Sequence, residues 1–312
     1  MRVFVAGATG AVGRPLVRRL VADGHEVTGM TRSEDRAAHV RAQGAAAAVA
    51  EVYDADHVAA VVAEARPEVL VHQLTAVPAH MDLKDLDGFY RETNRIRREG
   101  TRILVDAAVA AGVRRVIAQS ISFTYAQEGS RVKSEDAPLV QDPPGDVGRA
   151  FEAVFELERI VLGTEGIEGV VQRYGWFYGP GTYYAPGGDQ YEAFRARKTP
   201  IVGDGQSTWS FCHVEDAASA VVAALGEGPT GVYNVCDDEP APTREWMPAY
   251  AEAIGAKRPR RVPRFMARLA APKEIVAMAT ELRGADNARF KRDYGWAPRY
   301  ASWREGFSQA LG

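Results

Sequence analysis

The chain has 312 residues, 46% of them hydrophobic and 25% charged, enough to bury an ample core in one large or two modest domains. A formal charge of -3 supplies no field for nucleic acid or for an anionic membrane surface, so the expected partner is a small molecule. Only Cys212 and Cys236 occur, outside any Cys-x-x-Cys spacing, and the six histidines form no His-x-x-x-His pair on a predicted helix, so neither a disulfide framework nor a metal site is expected.

Over the first 173 residues short β-branched runs alternate with helical stretches, the pattern of a parallel sheet covered by helices on both faces. The spacing predicts strands near 2–6, 25–30, 45–50, 68–73, 113–118 and 168–173, and helices near 11–23, 34–43, 55–65, 85–111 and 147–163. The first strand begins at Arg2 or Val3, which leaves no room for a signal peptide, and no apolar run reaches the ~18 residues of a membrane helix; cytoplasmic residence is the expectation. The fold class is α/β, a Rossmann doubly wound parallel sheet, with residues 1–174 as its dinucleotide-binding domain. From Gly175 the sequence turns rich in glycine and proline, at Tyr178-Gly179-Pro180-Gly181 and Pro186-Gly187-Gly188, and residues 175–312 read as a smaller C-terminal substrate lobe. Within it, Phe211 to Leu225 reads as a strand end plus helix and Gly231 to Val235 as a buried strand, so the lobe is partly interleaved with the first domain. The basic stretch Lys257, Arg258, Arg260, Arg261, Arg264 is interrupted by prolines and reads as a solvated loop.

Gly7-x-x-Gly10-x-x-Gly13 directly follows the first strand and opens a helix. Gly7 permits the tight turn, Gly10 lets main-chain N–H groups approach a diphosphate, and Gly13 lets the helix pack on the strand. With Thr9, Ala11 and Val12 they make the expected cofactor cradle, and the helix N-terminus adds partial positive charge. The second strand ends at Met30-Thr31-Arg32 with no carboxylate at its tip. Arg32, with Arg36, suits a 2′-phosphate, so NADP(H) is expected in preference to NAD(H). The competing reading makes Ser33-Glu34-Asp35 a capped helix start beside exposed arginines, with Glu34 or Asp35 reaching a ribose.

Further along stand Val71-His72-Gln73-Leu74-Thr75-Ala76, Thr93-Asn94 with Gly100-Thr101, Arg173-Tyr174-Gly175-Trp176-Phe177-Tyr178-Gly179-Pro180-Gly181, Phe211-Cys212-His213-Val214-Glu215-Asp216, Val232-Tyr233-Asn234-Val235 and Tyr294-Gly295-Trp296-Ala297-Pro298. In this order, with the glycine motif, they resemble the extended short-chain dehydrogenase/reductases, the NAD-dependent epimerase/dehydratase family. The resemblance implies that Leu74, Thr75 and Ala76 lie under the nicotinamide ribose and that Asn94 is buried on its helix. It also implies that Glu51 and Val52 flank the adenine, that Tyr174 and Phe177 line the cofactor at the sixth-strand exit, and that the protein is a homodimer through the two long helices beside strand five.

One part of the family pattern is missing. The family's Tyr-x-x-x-Lys pair, in which the ammonium lowers the phenol's pKa so that it exchanges a proton as hydride moves, occurs nowhere in this chain. The helix expected to carry it, Asp146 to Glu158, contains neither residue, and the nearest surrogate, Tyr191-x-x-x-Arg195, falls in the substrate lobe. In Gln119-Ser120-Ile121-Ser122-Phe123-Thr124-Tyr125, Ile121 falls on the family's hydroxyl position, flanked by Ser120 and Ser122. The catalytic candidates are therefore Ser120, Ser122, Tyr174 and Tyr183. Three functions stay open: an NADP(H)-dependent oxidoreductase of the atypical extended type acting on a small carbonyl, alcohol or enone-like substrate; a dinucleotide-binding redox sensor or scaffold without turnover; and an NAD(P)-dependent epimerase/dehydratase. The last needs the tyrosine, and Trp209 stands where the family's sugar-nucleotide enzymes place an arginine. The aromatics Tyr174, Trp176, Phe177, Tyr178, Tyr183, Tyr184 and Trp209, concentrated at the sixth-strand exit, favour an enzyme with an apolar or aromatic substrate.

Overall fold

The apolar runs become strands buried on both faces, as a parallel sheet requires. The computed structural model describes residues 1–80, 85–142 and 145–310. Strands β1 (Arg2–Ala6), β2 (Glu26–Thr31), β3 (Ala46–Val49), β4 (Val69–His72), β5 (Arg115–Ile121), β6 (Glu168–Tyr174) and β7 (Gly231–Val235) form one all-parallel sheet in the order β3-β2-β1-β4-β5-β6-β7. Alternate side chains enter opposite cores, as the period of two dictates. Val3, Val5, Val69, Val71, Ile117 and Val170 face α1 (Gly13–Ala22) and the helix Val214–Ala223. Phe4, Ala6, Leu70, Val116, Ala118 and Val171 face the opposite way, into the core shared with α3 (Ala55–Ala65), α5 (Thr101–Ala110) and α6 (Gly145–Gly163). The strand order reverses between β1 and β4, which opens a crevice at their C-terminal ends. Among the described residues no helix is long and apolar enough to cross a membrane.

Two sequence expectations change. The sheet has seven strands rather than six, because β7 returns from the distal segment to pair with β6. The helix Val214–Ala223 likewise packs beside α1 in the first core, so residues 175–312 complete the sheet domain before they build a cluster of their own around Tyr178, Tyr184, Phe211, Trp246, Tyr250, Trp303 and Phe307. The single helix expected over 85–111 is broken into α4 (Leu86–Arg95), a π-turn at Ile96–Gly100 and α5. Gly100 closes that turn against β3's exit, where a Cβ would come within 3.2 Å of the Val52 side chain. π-turns of this kind sit disproportionately at functional sites.

A buried ion pair ties the later strands together. Arg173 on β6 grips Glu158 on α6 with two hydrogen bonds, at 2.8 and 2.5 Å, and the two side chains are only 5% and 8% exposed. Ser120 on β5 donates to the same carboxylate at 2.6 Å, and Arg173 donates to the Tyr125 hydroxyl, which donates to Asn234 on β7. Every member is satisfied, the condition under which a buried polar network stabilises a fold. Glu158→Ala leaves a buried guanidinium unpaired and is expected to cost ~3–5 kcal/mol, whereas Ser120→Ala is expected to cost ~1 kcal/mol. Denaturant midpoints check this, and similar small losses for both would contradict it.

Candidate active site

The glycine turn is built by close backbone approach. Gly7 has φ +94°, and a Cβ there would sit 2.7 Å from the Gln73 carbonyl oxygen, just past β4. A Cβ on Gly13 would meet the Gly7 carbonyl at 2.1 Å, so α1 rests directly on the turn. Gly10 instead faces open space: its nearest contact for an added Cβ is the Gly7 carbonyl at 3.4 Å, and the residue is exposed. Arg14 braces the turn through the Thr9 carbonyl at 3.0 Å. α1 has no side-chain cap, and among the described residues no protein acceptor takes the amides of Ala11 and Val12. Unfilled amides at a helix N-terminus beside an open glycine fit a diphosphate.

At the β2 tip Thr31 is buried with its Oγ1 unpartnered, and Arg32 and Arg36 are exposed with no ion pair among the described residues. Of the two competing ribose ligands, Glu34 is engaged by Arg41, and Asp35 is exposed. Beyond β3, Val52 is buried against Gly100, and exposed Glu51 accepts the Val52 amide at 3.1 Å.

The β4 exit is fixed by a histidine. His72 Nδ1 accepts the Leu74 amide at 3.2 Å, so Nε2 carries the proton toward Thr101 Oγ1 at 3.0 Å. Thr75 is exposed, and the Ala76 amide donates to Thr93 Oγ1 on α4. Asn94, one residue on, is buried with its Oδ1 lacking a donor. Gln73 Oε1 and Thr124 Oγ1 are two more buried, unpartnered atoms at the ends of β4 and β5.

The catalytic candidates do not converge. Ser120 is committed to the Glu158 carboxylate, inside the structural network. Tyr174 is 1% exposed; its hydroxyl donates to Gln172 and accepts from Gln73, and burial pushes the phenol far above its ordinary pKa. The hydroxyl is thus committed to two glutamines inside the core, and the ring packs on Phe177, at 5.1 Å between centroids. Tyr183 donates to the Pro78 carbonyl, and burial with Asp189 nearby pushes it up to about 12. Together with His80 and Asp189, 2.6 Å apart, it clasps the β4-exit loop to the distal segment. Of the four, only Ser122, buried with its amide on the Tyr174 carbonyl, makes no side-chain hydrogen bond among the described residues. α6 buries Val147, Ala150, Phe151 and Val154, an apolar face where the resemblance calls for tyrosine and lysine, and Val147 and Phe151 pack in one cluster with Ile121 and Phe123, the neighbours of Ser122.

Trp176 and Trp209, expected from the sequence as pocket aromatics, form the wall of this space together with Phe123, which the sequence did not single out. Phe123 from the β5 exit stacks on Trp176 at 4.3 Å and 13°, and Trp176 stacks on Trp209 at 4.2 Å and 21°. All three rings are partly exposed, whereas Tyr178 and Tyr184 are core residues. The contact joins residues 123, 176 and 209, and nothing in local spacing signals it.

A family model, described as the NAD dependent epimerase/dehydratase family, matches residues 3–236. The chain belongs to the NAD-dependent epimerase/dehydratase family. Within this family of nicotinamide-dependent enzymes it is 44% identical over 311 residues to a 3-diazoavenalumate denitrifying reductase of a Streptomyces species, covering 99% of this chain and 100% of the relative. It is 30% identical over 322 residues to a UDP-glucose 4-epimerase of Mycolicibacterium smegmatis, covering 96% and 95%. The crystal structure of a dTDP-glucose 4,6-dehydratase from Streptomyces venezuelae with NAD bound shares the fold, with a TM-score of 0.77 at 20% identity, over 100% of this chain and 96% of that one.

The β4 exit includes an acid-sensitive group. Burial, aided by the charge of Arg97, pulls the pKa of His72 down to about 4 from 6.5, so the folded state favours its neutral form. The unfolded chain takes up a proton first as pH falls, so this stabilisation is complete above pH 6.5 and is lost between 6.5 and about 4, at most ~3 kcal/mol. Melting temperatures are expected to fall across that window and to fall less steeply in His72→Gln; parallel slopes would count against the assignment.

Proposed function

We propose that the protein is an NADPH-dependent reductase of an aromatic substrate whose electrophilic group carries its own positive charge, of the diazonium type. The observation that carries this reading is the apolar α6 face packed beside Ile121 and Phe123, where a proton donor is needed for carbonyl chemistry. A bound nicotinamide supplies a hydride at C4. Hydride added to a carbonyl or an enone makes an oxyanion that a positioned acid must quench. A diazonium terminus is neutralised by hydride alone: the product is an aryldiazene, which breaks down to the arene and dinitrogen, so two electrons and one hydrogen enter and no protein proton is used in the hydride step. The relative at 44% identity is named for the reductive denitrification of a diazo-bearing carboxylate, which supports this class over the small carbonyl, alcohol or enone substrates that the sequence suggested. The ring stack of Phe123, Trp176 and Trp209 supplies a flat aromatic wall. The unpaired Arg32 and Arg36 at the β2 tip support NADPH over NADH.

Two measurements check this. With NADPH, the protein is expected to accelerate reduction of an arenediazonium above the protein-free rate and to leave aldehydes, ketones and enones unreduced; faster turnover of a carbonyl would overturn the reading, and binding without any turnover would favour a sensor. Arg32→Ala is expected to weaken NADPH binding by roughly 10- to 100-fold and to leave NADH binding unchanged, as loss of charge-assisted bonds to a 2′-phosphate requires. An equal effect on both dinucleotides would remove the cofactor preference.

A further inference from the structure

Tyr90, Asn94 and Arg97 follow one another at about one helical turn along α4 and the π-turn, which places them on one face. The flanking arginines are paired: Arg95 with Glu99 at 2.8 Å, and Arg98 with Glu152 of α6 at 3.7 Å. Arg97 is different. Among the described residues it makes no hydrogen bond and no ion pair, and Asn94 beside it, 9% exposed, has an orphaned Oδ1. The Arg97 residue keeps some surface in contact with solvent, yet its guanidinium is desolvated enough to draw its pKa down to about 10, with only Tyr90 acting in the opposite sense. It is still a cation at neutral pH, and its charge reaches both His72 at the β4 exit and Tyr90.

A desolvated charge without a counter-ion is among the costliest arrangements in a folded protein, and it persists where a ligand completes it. The dinucleotide does not supply that ion under the reading proposed above: its diphosphate belongs at residues 7–13, its 2′-phosphate at Arg32, and its nicotinamide end brings no negative charge. The second ligand must. Tyr90 packs in the same apolar cluster as Ile121 and Phe123, and Phe123 is the first ring of the aromatic wall. We infer that Arg97 is the anion-binding residue of the substrate pocket, holding the carboxylate of an aromatic acid whose ring lies toward Phe123. The inference rests on the site reading above and adds a specificity determinant to it: this site selects aryl carboxylates over neutral aromatics.

The test compares cinnamate with its neutral isostere cinnamamide, by calorimetry on the NADPH-loaded and the free protein, in wild type, Arg97→Gln and Arg97→Lys. Wild type is expected to prefer the carboxylate by at least about tenfold, a preference that Arg97→Gln erases and Arg97→Lys keeps in part. NADPH affinity in Arg97→Gln is expected to stay within about twofold of wild type. Removing a desolvated charge that has no counter-ion among the described residues is also expected to leave the melting temperature of the free variant at or above that of wild type. Equal affinity for the two compounds in wild type, an undiminished preference in Arg97→Gln, or a variant that melts well below wild type, as loss of an internal partner would cause, overturns the inference. Failure of wild type to bind NADPH sinks the functional reading instead, and the carboxylate preference of the free protein then still decides the role of Arg97.

Discussion

The meeting of three backbone segments at Gly7, Gly13 and Gln73 is the constraint on which the rest of the molecule depends. No side chain fits between the Gly7 carbonyl and α1, or between Gly7 and the end of β4. That approach brings the helix N-terminus to the point where the strand order reverses and leaves main-chain amides facing open space beside Gly10. The crevice is therefore a consequence of packing rather than of any polar side chain, which is why the site holds its form with so few titratable groups around it.

On the β5–β6 side the polar groups serve the fold. Ser120, Tyr125, Glu158, Arg173 and Asn234 form a closed network that joins three strands to α6. Tyr174 is enclosed between two glutamines, and Tyr183 holds a loop. Candidates chosen for their chemistry thus turn out to be fasteners, and the surface next to the crevice is left apolar and aromatic. Such a surface excludes water and presents a flat wall, which suits hydride delivery to an electrophile that needs no acid.

The parts of this arrangement legible in the sequence are those governed by local rules. Gly7, Gly10 and Gly13 after an apolar strand define the turn, and continuous apolar runs such as Val69 to Val71 define buried parallel strands. The helix over 85–111 was legible as a helix, but its π-turn was not, because Gly100 there meets Val52, a residue beyond β3 and distant in sequence. The seventh strand could be read as a strand at Gly231 to Val235, yet its place beside β6 follows from tertiary pairing. Ser120 and Tyr174 look catalytic in sequence because hydroxyl type is visible there and hydrogen-bond commitment is not. Arg97 is hidden for the converse reason: it sits in a run of arginines, and only the fold shows that its neighbours are paired while it has no partner among the described residues.

The most direct measurement is a crystal structure of the protein with NADPH bound. The diphosphate is expected within hydrogen-bond distance of the Ala11 and Val12 amides, with only apolar and aromatic side chains and the Ser122 hydroxyl around nicotinamide C4. A phenol, carboxyl or ammonium group directed at C4, or a diphosphate seated away from the glycine turn, would contradict this placement.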